Sequence, residues 1–218
     1  MKPRVLLLYY SYTNQTRRVA DAMAEVFLTE GCDVSQLELR LIDERYRLSL
    51  PLRPFWRRIL KFVLPQLLGW TGKIEFDEAL LAGDYHLVCI GSPTWWFYPA
   101  LPMTTFLKSE AASQVLQDRR FAVFAVCRAF WGPNYRTVTR LAKRAGGVFA
   151  DSAAFVFQGN QVQSMFSFLN YLQNGKDRER YLGCRIYPFG VTAEGIEQAK
   201  SFARTLVPKP SELNPDQS

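Results

Sequence analysis

Histidine is nearly missing from this chain: His86 is the single one in 218 residues. A zinc or catalytic centre built on histidine therefore has little to start from. Cysteine is sparse too. Cys32, Cys89, Cys127 and Cys184 are widely scattered and form no C-x-x-C, which argues against a disulfide framework or a metal knuckle. Two glycine signatures are absent: neither G-x-x-x-x-G-K-[ST] nor G-x-G-x-x-G occurs, so a Walker-type nucleotide loop and a dinucleotide fingerprint both lack their signal. No apolar run reaches the roughly 20 residues of a membrane-crossing helix. Met1-Lys2-Pro3-Arg4 leads straight into a strand-like run, without the pattern of a signal peptide. Reduced thiols in a cytoplasmic protein are the expectation.

What is present reads as globular. Hydrophobic residues make up 48% and charged residues 22%, and the length suits one substantial domain with insertions. The net charge is +7. It is concentrated: between Arg40 and Lys73 there are eight Lys/Arg against Asp43 and Glu44, so six of the seven net charges lie there. That segment also holds Phe55, Trp56, Ile59, Phe62 and Leu64. Basic and apolar residues together fit a peripheral contact of residues 44–73 with the inner face of a membrane; a flap over the site or a homodimer contact are the other uses. Nucleic acid is a poor fit, because the segment is too apolar.

The most informative stretch runs from Val5 to Arg17. Val5 to Tyr9 is a short apolar run that suits a central parallel strand. Ser11, Thr13 and Thr16 then place three hydroxyls in one turn, and an amphipathic helix follows with Val19, Met23, Val26 and Phe27 on one face. Gly31 stands where a left-handed cap belongs. The N–H groups of a helix start, together with hydroxyls, can hold a phosphate without a lysine. The plain alternative is a strand–turn–helix with a Ser/Thr cap.

Further strands are expected at 33–39, 85–90, 120–127 and 149–157, with helices at 101–110, 133–145 and from Thr192 onward. Five strands alternating with helices predict an α/β, doubly wound parallel sheet. Residues 1–207 read as one domain with insertions at about 40–76 and 159–188, and 208–218 as a polar tail. The 55–64 stretch is expected to be a short helix, and so is 161–172. Such sheets bind ligands beyond the carboxyl ends of their strands. The unusual loops at 10–16, 91–99 and 127–132 all fall at that edge.

Ser11-Tyr12-Thr13-Asn14-Gln15-Thr16 resembles the phosphate loop of flavodoxin-like FMN-binding proteins, Ser/Thr-x-Thr-Gly-x-Thr. Asn14 replaces the usual glycine; asparagine is the other residue that tolerates a left-handed backbone. Gly91-Ser92-Pro93-Thr94-Trp95-Trp96 is similar to the family's loop against the flavin ring. The loop at 127–132 matches by position. The resemblance implies a five-stranded sheet in the order 2-1-3-4-5 and FMN as cofactor. It places the phosphate on Ser11, Tyr12, Thr13, Asn14, Gln15 and Thr16. It lays the ring against Pro93, Thr94, Trp95, Trp96, Phe97 and Tyr98, closed by Cys127, Arg128, Phe130, Trp131 and Gly132. It further implies electron flow from NAD(P)H or a protein donor to a quinone or another small acceptor, or to a redox partner protein. The alternatives are a flavodoxin-type one-electron carrier, although the basic charge contrasts with the usual acidic face of such carriers, and a non-catalytic module that binds a partner or a membrane. Taken alone, four consecutive aromatics at 95–98 also suit a partner interface. Cys127 is expected to be a buried, inert thiol and His86 a structural histidine.

Overall fold

A computed structural model of the chain describes residues 2–46, 63–95, 97–157 and 161–208. The expected helix at 55–64, Trp96 and the tail beyond 208 lie wholly or mostly outside these residues. Strand β1 (Arg4–Tyr10) leads into helix α1 (Gln15–Thr29), and Gly31, at φ +83°, turns the chain back into β2 (Asp33–Leu41). Residues 63–67 are helical. The short β3 (Ile74–Glu75) and a 3-10 turn at Glu78–Leu80 follow, the turn capped by the Asp77 side chain on the Ala79 N–H. Next come β4 (Leu87–Trp95), β5 (Tyr98–Pro99), α2 (Leu101–Leu107), α3 (Glu110–Leu116), β6 (Arg120–Cys127) and α4 (Gly132–Arg144). Then β7 (Val148–Val156), α5 (Gln161–Asn174), the small hairpin β8 (Arg180–Tyr181) with β9 (Cys184–Arg185), and α6 (Ala193–Leu206) complete the chain.

The parallel strands lie in the order β2-β1-β4-β6-β7, which is the expected 2-1-3-4-5. Two short antiparallel strands extend it: β3 on the outer side of β2 and β5 folded back on β4. Each strand feeds both layers because side chains alternate. On β1, Leu6, Leu8 and Tyr10 join Met103, Phe106, Val115 and Val138 under α2, α3 and α4. Val5, Leu7 and Tyr9 join Val19, Met23, Phe27, Ala199 and Leu206 under α1 and α6. A strand buried on both faces must be apolar at every position, which is why Val5 to Tyr9 reads as a continuous run.

Three sequence expectations change. The third parallel strand does not stop at residue 90: β4 runs on to Trp95 and hairpins into β5. Gly91 is therefore a strand residue; a β-carbon there would stand 2.3 Å from the Phe124 ring, so its lack of a side chain lets Phe124 pack. The helix expected at 101–110 is two, α2 and α3, broken at Lys108 and Ser109. The first insertion starts later, since β2 extends to Leu41. Thr192 caps α6 as expected, its hydroxyl accepting from the Gly195 N–H at 3.1 Å. His86 is structural: Nδ1 accepts from the Arg4 N–H at 3.1 Å.

Candidate functional site

The carboxyl ends of β1, β4 and β6 carry the three loops to one edge, and a cavity of about 530 Å³ opens between them. That size suits a small-molecule or cofactor site. One end is the β1–α1 turn. Asn14 takes the left-handed conformation, φ 60° and ψ 0°, that lets the turn enter the helix. Its side chain caps nothing; the Ser11 hydroxyl accepts from the Arg17 N–H at 3.1 Å instead. Tyr12, Thr13, Gln15 and Thr16 line the cavity. Gln15 is also a tether: its Oε1 accepts from the Val191 N–H and from Arg18, both at 3.0 Å, tying the turn to the segment before α6.

The middle of the cavity is the end of β4. Pro93, Thr94 and Trp95 line it, and Trp95 stands edge-on to Tyr10 at 5.5 Å and Tyr12 at 5.9 Å. Asn134 of α4 fixes this segment. It is fully buried; its Nδ2 donates to the Ser92 carbonyl at 3.2 Å and the Thr94 hydroxyl at 2.7 Å, while its Oδ1 accepts from the Ser92 hydroxyl at 2.9 Å. Cys127, Arg128 and Phe130 form the third side, and Phe130 meets Phe97 at 5.4 Å between ring centroids. Burial pushes the Cys127 thiol up to about 12, against the opposing pull of the Thr94 hydroxyl and Arg128. It is buried, as expected, and burial favours its protonated form. Arg128 is the one ionised side chain lining the cavity among the described residues, and burial lowers its pKa. Its Nη1 reaches the Ser164 hydroxyl at 3.4 Å.

The remaining wall comes from the second insertion and was not expected. Met165, Phe166, Phe168 and Leu172 of α5, with Phe157 and Phe189, close the cavity with apolar surface. Phe189 stacks on Tyr171 at 4.5 Å and stands edge-on to Phe157 at 5.0 Å. Of the residues singled out in the sequence, Ser11, Asn14, Tyr98, Trp131 and Gly132 lie beside the cavity without lining it. Ser11 and Asn14 shape the turn, Tyr98 and Trp131 stand exposed, and Gly132 begins α4. Trp96 lies outside the described residues. No group of His, Cys, Asp and Glu suited to a metal ion occurs among the described residues.

No protein-family model matches the sequence, and no curated protein does. Solved structures do. A flavoprotein in complex with FMN from Lactobacillus acidophilus NCFM matches at 21% identity and TM-score 0.54, over 70% of this chain and 93% of that one. A flavodoxin from the domain Archaea matches at 11% and 0.53, over 94% and 96%. The oxidised flavodoxin 2 from Bacillus cereus matches at 13% and 0.50, over 92% and 95%. The fold is flavodoxin-like. Within that fold, Ser11 and Thr13 lie in the β1–α1 turn and Thr16 in the first turn of α1, and α5 of the second insertion lines the cavity.

Proposed function

We propose that this chain binds FMN in the cavity and works as an electron-transfer flavoprotein, an oxidoreductase passing electrons from NAD(P)H or a protein donor to a quinone or similar acceptor. The carrying observation is the pairing of a hydroxyl turn at a helix start with an apolar, aromatic-walled cavity that opens directly from it. The two halves of FMN need those two environments. A phosphate suits Thr13, Thr16 and the first-turn N–H groups of α1, where the helix dipole adds positive potential. A flat tricyclic ring suits Trp95, Phe97 and Phe130, whose faces and edges offer apolar contact. Bound FMN would supply the redox chemistry. The chain's part is to anchor the phosphate, to hold the ring with Trp95 and the Asn134-fixed Thr94, and to exclude water with the wall from α5.

The flavodoxins among the fold neighbours favour a second reading, a one-electron carrier. The basic charge and the deep apolar wall favour an enzyme that admits a small acceptor. Titration of the purified protein with FMN tests the cofactor, with quenching of flavin fluorescence and calorimetric heat as readouts. Saturable, stoichiometric binding is expected; no quenching and no heat would refute it. Steady-state NAD(P)H oxidation with a soluble quinone then separates enzyme from carrier.

A further inference from the structure

The cavity mouth has an unusual rim. Phe97 is 42% exposed, Tyr98 37%, Phe130 49%, Trp131 41% and Val162 62%. Phe97 and Phe130 are in ring contact at the mouth, Tyr98 and Trp131 follow them directly in sequence, and Val162 lines the same cavity. Several exposed large apolar side chains gathered at one opening mark a contact surface. Phe130 adds a second observation. Its backbone sits at φ +57°, a conformation that costs a bulky residue energy and persists where the surroundings impose it. At this position the chain carries an aromatic ring half out in solvent beside the opening.

The loop and helix that lead away from the rim carry charge of one sign. From Arg128 to the end of α4 at Arg144 the chain has five Lys/Arg and no acid. Arg128 lies at the cavity, and Arg136, Arg140 and Arg144 stand exposed at four-residue spacing along α4, beginning just past Trp131. Aromatic side chains flanked by cations fit the headgroup region of an anionic bilayer. An acidic protein would match the charge as well. The cavity decides between them. Behind the rim its far wall is Met165, Phe166, Phe168, Leu172 and Phe189, a surface that favours an apolar guest, and apolar molecules concentrate in the bilayer.

We propose that the rim of Phe97, Tyr98, Phe130, Trp131 and Val162 seats on an anionic lipid surface, with the cavity mouth facing the membrane. This contact is distinct from one through residues 44–73 and stands whether or not FMN binds. No helix among the described residues is long and apolar enough to cross a membrane, so the contact is peripheral.

The test is co-sedimentation of the full chain, with and without added FMN, with vesicles of phosphatidylcholine alone and of phosphatidylcholine with phosphatidylglycerol. Binding to the anionic vesicles at low salt is expected, weakened by added salt. Tyr98 and Trp131 do not line the cavity, so the Tyr98→Ser/Trp131→Ser double variant should lose about tenfold in vesicle affinity, the effect of removing partly buried apolar area. Its circular dichroism and FMN affinity should match the unaltered chain. Leu67→Ser/Trp70→Ser, in a separate exposed apolar segment, should bind vesicles unchanged. Failure to sediment with anionic vesicles overturns the proposal. So does equal binding by the Tyr98/Trp131 variant, which would move the contact elsewhere. Saturable binding to an acidic iron–sulfur carrier protein without vesicle binding would assign the rim to a protein instead.

Discussion

The Asn134 side-chain amide donates to the Thr94 hydroxyl across 2.7 Å, joining two residues 40 apart in sequence at the floor of the cavity. Asn134 is fully buried and all its amide bonds go to Ser92 and Thr94. Because Thr94 Oγ1 accepts this bond, its own proton is left to donate toward Cys127 or a ligand. Replacing Asn134 with Leu strands the Ser92 hydroxyl and carbonyl in a dry site and removes the bond that fixes Thr94 at the cavity wall. Each orphaned buried group costs about 1–3 kcal/mol, so Asn134→Leu should lower stability by roughly 2–4 kcal/mol in a urea titration. Thr94→Val should cost less stability and still reduce FMN affinity; an unchanged affinity would show that the hydroxyl faces only protein.

The turn hydroxyls give the second prediction. Thr13 and Thr16 line the cavity, and Thr16 is buried. Each charge-assisted bond to a phosphate is worth about 1.5–3 kcal/mol. Thr13→Ala and Thr16→Ala should each weaken FMN binding by about ten- to a hundredfold, read by calorimetry. Ser11→Ala should act differently. Its hydroxyl takes the Arg17 N–H, so its loss should lower stability by about 1 kcal/mol as a lost cap does.

How much of this was legible before the structure depends on how local the signal is. The β1–turn–α1 unit is contiguous in sequence, so its apolar run and hydroxyl turn could be read locally, as a phosphate loop or as a plain capped turn. A parallel sheet followed from alternating elements, and its strand order from the resemblance. What was not legible is long-range. Asn134 gains its role only when α4 sits beside β4, and nothing in Gly132-Pro133-Asn134-Tyr135 announces it. Gly91 and Pro93 resemble turn residues, yet Gly91 is in β4 because Phe124 of β6 fills the space a β-carbon would need. The α5 wall is the largest omission. An aromatic helix in an insertion carries no mark of what it covers; the hint available was its apolar content without a partner face in the five-stranded scheme.

Thiol labelling gives a third prediction. Cys32, Cys89 and Cys127 are buried and Cys184 is exposed. Burial also raises the pKa of Cys32 and Cys89. Thiolate is the reactive form. Native protein treated with iodoacetamide near pH 8 should therefore carry one adduct, on Cys184, by mass spectrometry. Rapid modification of Cys127 would mean that the cavity admits the reagent and that the thiol is activated after all.

Acid should weaken the start of the first insertion. The Asp43 carboxylate is buried and takes Arg45 Nη2 at 2.7 Å and Nε at 3.0 Å, with the N–H groups of Arg45 and Lys73 at 3.1 and 3.2 Å. The Arg45 guanidinium, helped by those N–H groups, holds its pKa well below the ordinary carboxylate range. A folded pKa below the unfolded one stabilises the fold above the unfolded value, near 4, and this contribution is lost as pH falls from there toward the folded value. Denaturant midpoints of wild type should fall below about pH 4.5. Asp43→Asn should be less stable at neutral pH and fall less steeply in acid. Parallel curves for the two proteins would show that Asp43 is not the group titrating.

Arg128 gives the last prediction. It is half-buried, lines the cavity and is the one ionised side chain there among the described residues. Adding electrons to a ring in the cavity adds negative charge, and a fixed cation in a partly dry site favours that state over the neutral one. The burial that lowers its own pKa leaves it charged at pH 7, since an arginine starts so high. If FMN binds as proposed, Arg128→Gln should lower its two-electron midpoint potential. A loss of about 1–3 kcal/mol of electrostatic support corresponds to roughly 20–60 mV. Lysine at the same position should recover most of the shift if charge is the cause. An Arg128→Gln potential equal to wild type, with FMN still bound, would place the guanidinium's role in its contact with Ser164 and α5, as a strut for the apolar wall. That outcome would appear instead as faster proteolysis of residues 161–174, whose seat against the cavity the guanidinium helps to hold.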